Sequence, residues 1–104
     1  MSICMDILGG AWTPEIIWYL HGGARRFSEL QHDIPMISAK VLSSRLRKLV
    51  IKKVVNRVVK PTSPPSVEYS LTDLGQELVP VIDAIVKVGH KIKLRNDAEH
   101  MVAG

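Results

Sequence analysis

A single cysteine, Cys4, occurs among the 104 residues. One thiol cannot close an intramolecular disulfide or furnish a cysteine zinc site, and such scarcity suits a reducing cytoplasm. With no cation nearby in the sequence, Cys4 is expected to be packed or inert, a redox sensor being the alternative. No apolar run approaches the ~20 residues needed to cross a bilayer. The N-terminus also lacks a charged segment followed by a long apolar one, so neither a membrane span nor a signal peptide is expected. The four histidines, His21, His32, His90 and His100, show no paired ligand spacing. A glycine-rich phosphate loop and a nucleophile elbow are both missing. No metal, cofactor or enzymatic role is therefore expected.

Acidic side chains are missing from one long stretch. None of the ten Asp and Glu residues lies between Asp33 and Glu68, where eight basic residues do: Lys40, Arg45, Arg47, Lys48, Lys52, Lys53, Arg57 and Lys60. A block of one sign in a folded region points to a surface that faces a polyanion; a solvated basic face is the alternative. The net charge of +4 is modest beside that asymmetry. The remaining balance, 46% hydrophobic and 23% charged, is that of a globular chain, and residues 1–104 are enough for one domain.

Residues 4–8 read as a short helix closed by Gly9-Gly10. Thr13 is expected to cap the next helix, with Pro14 at its first position, Glu15 in its first turn and Gly22-Gly23 as its stop. Arg25-Arg26-Phe27 reads as an extended link. Ser28 and Gln31 have capping-box spacing, and Pro35 limits the helix they begin. Ser38 caps a helix over about 38–50, in which Leu42, Leu46 and Leu49 form one apolar stripe. Lys40, Ser44, Arg47 and Lys48 point the other way.

The run from Val54 to Val59 is β-branched and reads as a strand. Val67, Tyr69 and Leu71 alternate with Ser66, Glu68 and Ser70 as a second strand. The segment from Pro61 to Pro65 turns the chain between them, which makes a hairpin over about 54–71. Thr72 caps a last helix over about 73–94, with a frayed end from Asn96 onward. There Leu74, Leu78, Val81, Ile85, Val88 and Ile92 follow a coiled-coil-like seam, and Val79, Ile82 and Val86 add a second stripe. One stripe can cover the chain's own core and leave the other for a partner. Pro80 is expected to bend this helix. Trp12, Trp18, Tyr19 and Phe27 lie on or beside helix faces, where core packing is expected; an aromatic-lined effector pocket is the alternative.

The order helix, helix, short helix, helix, hairpin, long helix is that of a winged helix-turn-helix, a mainly α fold with a small β-hairpin. The second helix of such a pair fits the major groove, and the hairpin touches the flanking backbone. The basic block covers those same two elements, which favours double-stranded DNA as the partner. The candidate contacts are Ser38, Lys40, Val41, Ser43, Ser44, Arg47 and Lys48 on the helix, with Arg57 and Lys60 on the wing. Arg45 points nearer the apolar side and is expected to form a structural pair or to snorkel. The candidate homodimer contacts are Leu78, Val81, Ile85, Val88 and Ile92. A winged-helix protein-interaction module without specific DNA binding is the alternative, on fold alone.

From about Asp6 to His90 the chain resembles the HxlR-type winged-helix transcriptional regulators. The pieces that carry the resemblance are Leu8-Gly9-Gly10-Ala11-Trp12-Thr13, Arg25-Arg26-Phe27-Ser28-Glu29-Leu30, the run Ile37-Ser38-Ala39-Lys40-Val41-Leu42-Ser43-Ser44-Arg45-Leu46-Arg47-Lys48-Leu49, and Val67-Glu68-Tyr69-Ser70-Leu71-Thr72-Asp73-Leu74-Gly75. Each is weak alone; four in order at the family's spacing are specific. The resemblance implies a DNA-binding homodimer with N- and C-terminal dimerisation helices, acting on its own gene or a neighbouring operon; a small-molecule effector is left open. Ala11 stands where the family usually has Lys, and Val88 where it has Trp. Lys53 replaces a Gly at the end of the recognition helix, at a cost of about 1 kcal/mol if φ is positive there. Cys4 lies too close to Gly9-Gly10 to match the family's redox cysteine.

Overall fold

The leucines of the capped central helix and the isoleucines of the first long helix meet in one core, on which the rest of the chain is laid. The computed structural model describes residues 6–7 and 9–103, with side chains through Asn96. The elements are α1 (Thr13–His21), β1 (Arg25–Arg26), α2 (Phe27–Asp33), α3 (Ala39–Ile51), β2 (Val55–Lys60), β3 (Ser66–Leu71) and α4 (Asp73–Ala103). Asp6 and Ile7 are also helical. Cys4 and the rest of the short N-terminal helix expected over residues 4–8 lie outside the described residues.

The core joins Ile16, Ile17 and Leu20 of α1, Leu30 of α2, Leu42, Leu46 and Leu49 of α3, and Leu78, Val79 and Ile82 of α4. It is the i, i+3/i+4 spacing on each helix that gathers these side chains on one face. Trp12 and Phe27 pack against this cluster as expected, but Trp18 and Tyr19 are exposed. They occupy the side of α1 turned away from Ile16, Ile17 and Leu20.

Two helix starts differ from the sequence expectation. Thr13 is not the cap of α1: Trp12 takes that place at φ 69°, and Thr13 is buried inside the first turn. A left-handed tryptophan costs roughly 1–2 kcal/mol, which its indole offsets by packing on the core. Likewise α2 begins at Phe27, before Ser28, and the Glu29 carboxylate accepts from the Arg26 N–H at 2.9 Å. The cause is β1. Arg25 and Arg26 pair with Tyr69 and Glu68 of β3, and this pins the point at which the chain can turn into a helix.

The expected hairpin is therefore part of a three-stranded antiparallel sheet of order β1-β3-β2. β2 begins at Val55, one residue after the expected start, and pairs with β3 from Val55↔Leu71 to Lys60↔Ser66. Beyond Val55 every residue of β2 is exposed, so the wing stands off the core. Ser38 caps α3 as expected, accepting from the Val41 N–H at 3.2 Å.

The end of α3 is closed by two reversed hydrogen bonds, Val54 N–H to Leu49 C=O at 2.9 Å and Lys53 N–H to Val50 C=O at 3.0 Å. This is the Schellman pattern, which needs a left-handed residue after the cap. Lys53 supplies it at φ 62°. Thr72 ties this corner to α4: its hydroxyl donates to the Lys53 carbonyl at 2.7 Å and accepts from the Gly75 N–H at 3.1 Å. Gly75 is required there, because a Cβ would collide with the Val54 carbonyl oxygen.

Helix α4 continues to Ala103, past the fraying expected from Asn96. Residues 91–103 contain no Gly or Pro and are rich in strong helix formers. Every side chain from Ala84 to Asn96 is exposed.

Candidate nucleic-acid interface

Burial of Leu42, Leu46 and Leu49 decides which side of α3 faces outward. Lys40, Ser43, Ser44, Arg47 and Lys48 are all exposed, and Ser38 holds the first turn. Val41 is different. It is half-buried and packs against the core, so it supports the helix and is not an open contact.

The outward residues do not form a single face. Ser43 and Arg47 turn toward the wing, where they line a cleft of about 300 Å³ with Val50, Ile51, Arg57 and Tyr69. Lys48 lies on the opposite flank, beside Arg45 and Lys52. Successive residues differ by roughly 100° around an α-helix, so Arg47 and Lys48 cannot share a direction. The sequence pattern separates core from surface but does not distinguish the two flanks of that surface.

The wing cations also differ from each other. Lys60 Nζ lies 3.5 Å from Glu68 Oε2 on the neighbouring strand. Arg57 stands opposite Tyr69 and forms no ion pair among the described residues. The convergent cations are therefore Arg47 from α3 and Arg57 from β2. They meet because β2 leaves the Lys53 corner and runs back beside α3.

Arg45 serves the scaffold, in keeping with its position nearer the apolar stripe. Its Nε donates to the Ala11 carbonyl at 3.0 Å. A second cation the sequence left unassigned, Arg25, spans Glu29 at 3.9 Å and Asp33 at 3.7 Å. The half-buried Asp33 has an Oδ2 with no hydrogen-bond donor among the described residues, so this ion pair is its compensation. Only the pairing of β1 with β3 brings Arg25 to that position.

Leu78 belongs to the seam expected at a homodimer contact, but it is only 4% exposed and lies in the chain's own core, with Val79 and Ile82. Val81, Ile85, Val88 and Ile92 remain outside and, with Ala84 and Gly89, line an apolar groove of about 460 Å³. Trp18 and Tyr19 form a smaller groove with Ile82 and Val86, of about 240 Å³. No group of three or more metal-ligating side chains occurs among the described residues. No helix among them is long and apolar enough to cross a membrane.

Residues 7–97 match the family described as HxlR-like helix-turn-helix. This chain belongs to that family. The HxlR-like chain is 43% identical over 83 residues to YvaP of Bacillus subtilis (strain 168), an uncharacterized HTH-type transcriptional regulator, covering 80% of this chain and 77% of YvaP. The reduced form of the transcriptional regulator YodB from B. subtilis superposes with a TM-score of 0.75 at 37% identity, over 84% of this chain and 89% of YodB. The redox regulator HypR in its reduced form superposes with a TM-score of 0.83 at 31% identity, over 90% and 93% of the two chains. The HxlR-like chain is thus a DNA-binding transcription regulator with a winged helix-turn-helix fold.

Proposed function

We propose that the protein binds duplex DNA sequence-specifically as a homodimer, on an operator built as an inverted repeat. The observation that carries this reading is the meeting of Arg47 and Arg57 on one cleft between α3 and the wing, in a segment without any acidic residue from 34 to 67. Lys40 and Ser44 project from α3 opposite its leucines and enter the major groove. Ser38 and Ser43 act at the start of the helix. Arg47 and Arg57 grip the groove edge and the adjacent backbone, and Lys48 and Lys60 add phosphate contacts from the two sides.

The exposed stripe of α4 supports the homodimer. Val81, Ile85, Val88 and Ile92 would meet their counterparts in a two-fold contact, removing from water an apolar surface that the monomer leaves open. A dimer of this kind places two α3 helices about 34 Å apart, in successive major grooves.

Selection of bound fragments from a random duplex pool tests the reading, followed by binding curves at several salt concentrations. The expected result is an enriched inverted repeat with half-sites about 10 base pairs apart, bound by two chains. Enrichment of no sequence above the pool, with the protein folded, refutes it.

A further inference from the structure

The flank of α3 away from the wing carries a second cleft, of about 260 Å³. Its apolar part is formed by Ile7 and Leu49, with Ile51 at the rim, 72% exposed although isoleucine gains nothing there from water. Three cations of α3 and its end line the same space: Arg45, Lys48 and Lys52. None of them forms an ion pair with a described residue. Asp6 is also on the wall, so the balance is three positive charges to one negative.

Two further details make this more than a basic surface. The Arg45 Nε is committed to the Ala11 carbonyl, which fixes the guanidinium against the turn and leaves its η nitrogens to another acceptor. Thr13 lines the cleft too and is only 3% exposed. Gly10 keeps its hydroxyl uncrowded, since a Cβ there would stand 2.9 Å from Thr13 Oγ1.

We propose that this cleft binds a small organic anion with a flat apolar body, an aryl carboxylate, and that its occupancy weakens DNA binding. The carboxylate is taken by Arg45 and Lys52, with Thr13 donating, and the ring lies against Ile7, Leu49 and Ile51. Drug-sized ligands fill about 300–1,000 Å³, so the volume here selects something smaller. A bare inorganic anion leaves the apolar wall unused, and a neutral arene leaves the cations unpaired. The coupling part rests on the DNA-binding reading above: Lys48 lines the same cleft and is also a phosphate contact, so the charge of an anion held by Arg45 and Lys52 beside it offsets the attraction of that flank for the duplex. Coupling of this kind is reciprocal.

The test is a titration of the free ¹⁵N-labelled chain with sodium benzoate at constant ionic strength, with benzamide as the neutral control. Saturating shifts at Gly10, Thr13 and Ile51 are expected, with a much weaker response to benzamide. Lys52→Gln, an exposed change, should raise the benzoate Kd about tenfold, because it removes one charge-assisted hydrogen bond. Shifts that never saturate, an equal response to benzamide, or saturation confined to Trp18 and Tyr19 would overturn the site. Saturating benzoate should then raise the duplex Kd by about fivefold or more, and an unchanged duplex Kd overturns the coupling. A chain that binds no duplex even without benzoate defeats the DNA-binding reading and the coupling together, while the titration alone still decides the site.

Discussion

The Arg45 side chain donates through Nε to the carbonyl oxygen of Ala11 at 3.0 Å, across 34 residues of sequence. A basic residue of α3 is thereby fastened to the turn that precedes α1. The orientation of α3 on the core depends on this bond as well as on the leucines beneath it.

Arg45→Ala should lower stability by about 1–2 kcal/mol, because it removes a charged donor and leaves the Ala11 carbonyl to water. It should weaken binding to specific and random duplexes by similar factors, since the side chain positions α3 and reads no base. Urea unfolding and anisotropy on both duplexes check this. A loss of sequence preference with unaltered stability would contradict the assignment.

Lys53 holds φ 62° so that α3 can close with its two reversed hydrogen bonds. Lys53→Gly should relieve about 1–2 kcal/mol of backbone strain but give back about 0.4–1 kcal/mol through greater freedom of the unfolded chain. A net gain of about 0.5–1 kcal/mol remains, a rise of several degrees in Tm for a domain of this size. A thermal melt decides it, and a lower Tm means that the lysine stem contributes packing that outweighs the strain.

Leu78 and Ile85 sit on one sequence seam but in opposite environments, 4% and 52% exposed. Leu78→Ala should destabilise the fold by about 2–5 kcal/mol. Ile85→Asp should leave each chain folded and dissociate the homodimer, because it would bury an unpaired charge in the contact. Sedimentation and circular dichroism on both variants separate the effects. A dimer that survives Ile85→Asp removes the α4 stripe from the interface.

Arg47 and Arg57 share a cleft, whereas Lys60 is already compensated by Glu68. Arg47→Ala should cost about 1–3 kcal/mol of binding and relax preference at one position per half-site if it reaches a base. Arg57→Ala should weaken all duplexes alike and reduce the salt slope by about 0.9 for each phosphate the arginine neutralises. Lys60→Ala should do less than Arg57→Ala, because part of its charge is spent on Glu68. Anisotropy at four or more salt concentrations gives slope and affinity together. Equal slopes for Arg57→Ala and wild type would remove the wing from the DNA.

What the sequence alone determined is what short-range chemistry controls. Ser38 and Thr72 cap their helices as local chemistry favours, each hydroxyl accepting from an N–H three residues on, whereas Thr13 and Ser28 carry the same signal and are displaced from the cap. Leu42, Leu46 and Leu49 were legible as the inner face of α3 by helical period, and the gap in acidic residues marked the helix and wing together. Tertiary structure decided the rest. A two-residue strand, Arg25–Arg26, has no pattern of its own and exists only through pairing with β3. That pairing moved the start of α2 to Phe27 and carried Arg25 to Asp33. The two apolar stripes of α4 are alike in composition, so only packing against α1 and β3 could assign Leu78 to the core and leave Val81 and Ile85 outside. The same holds for the cations. Helical period separates Arg47 from the leucines, but it took the return of β2 beside α3 to join Arg47 to Arg57, and a diagonal approach across the ladder to give Lys60 to Glu68.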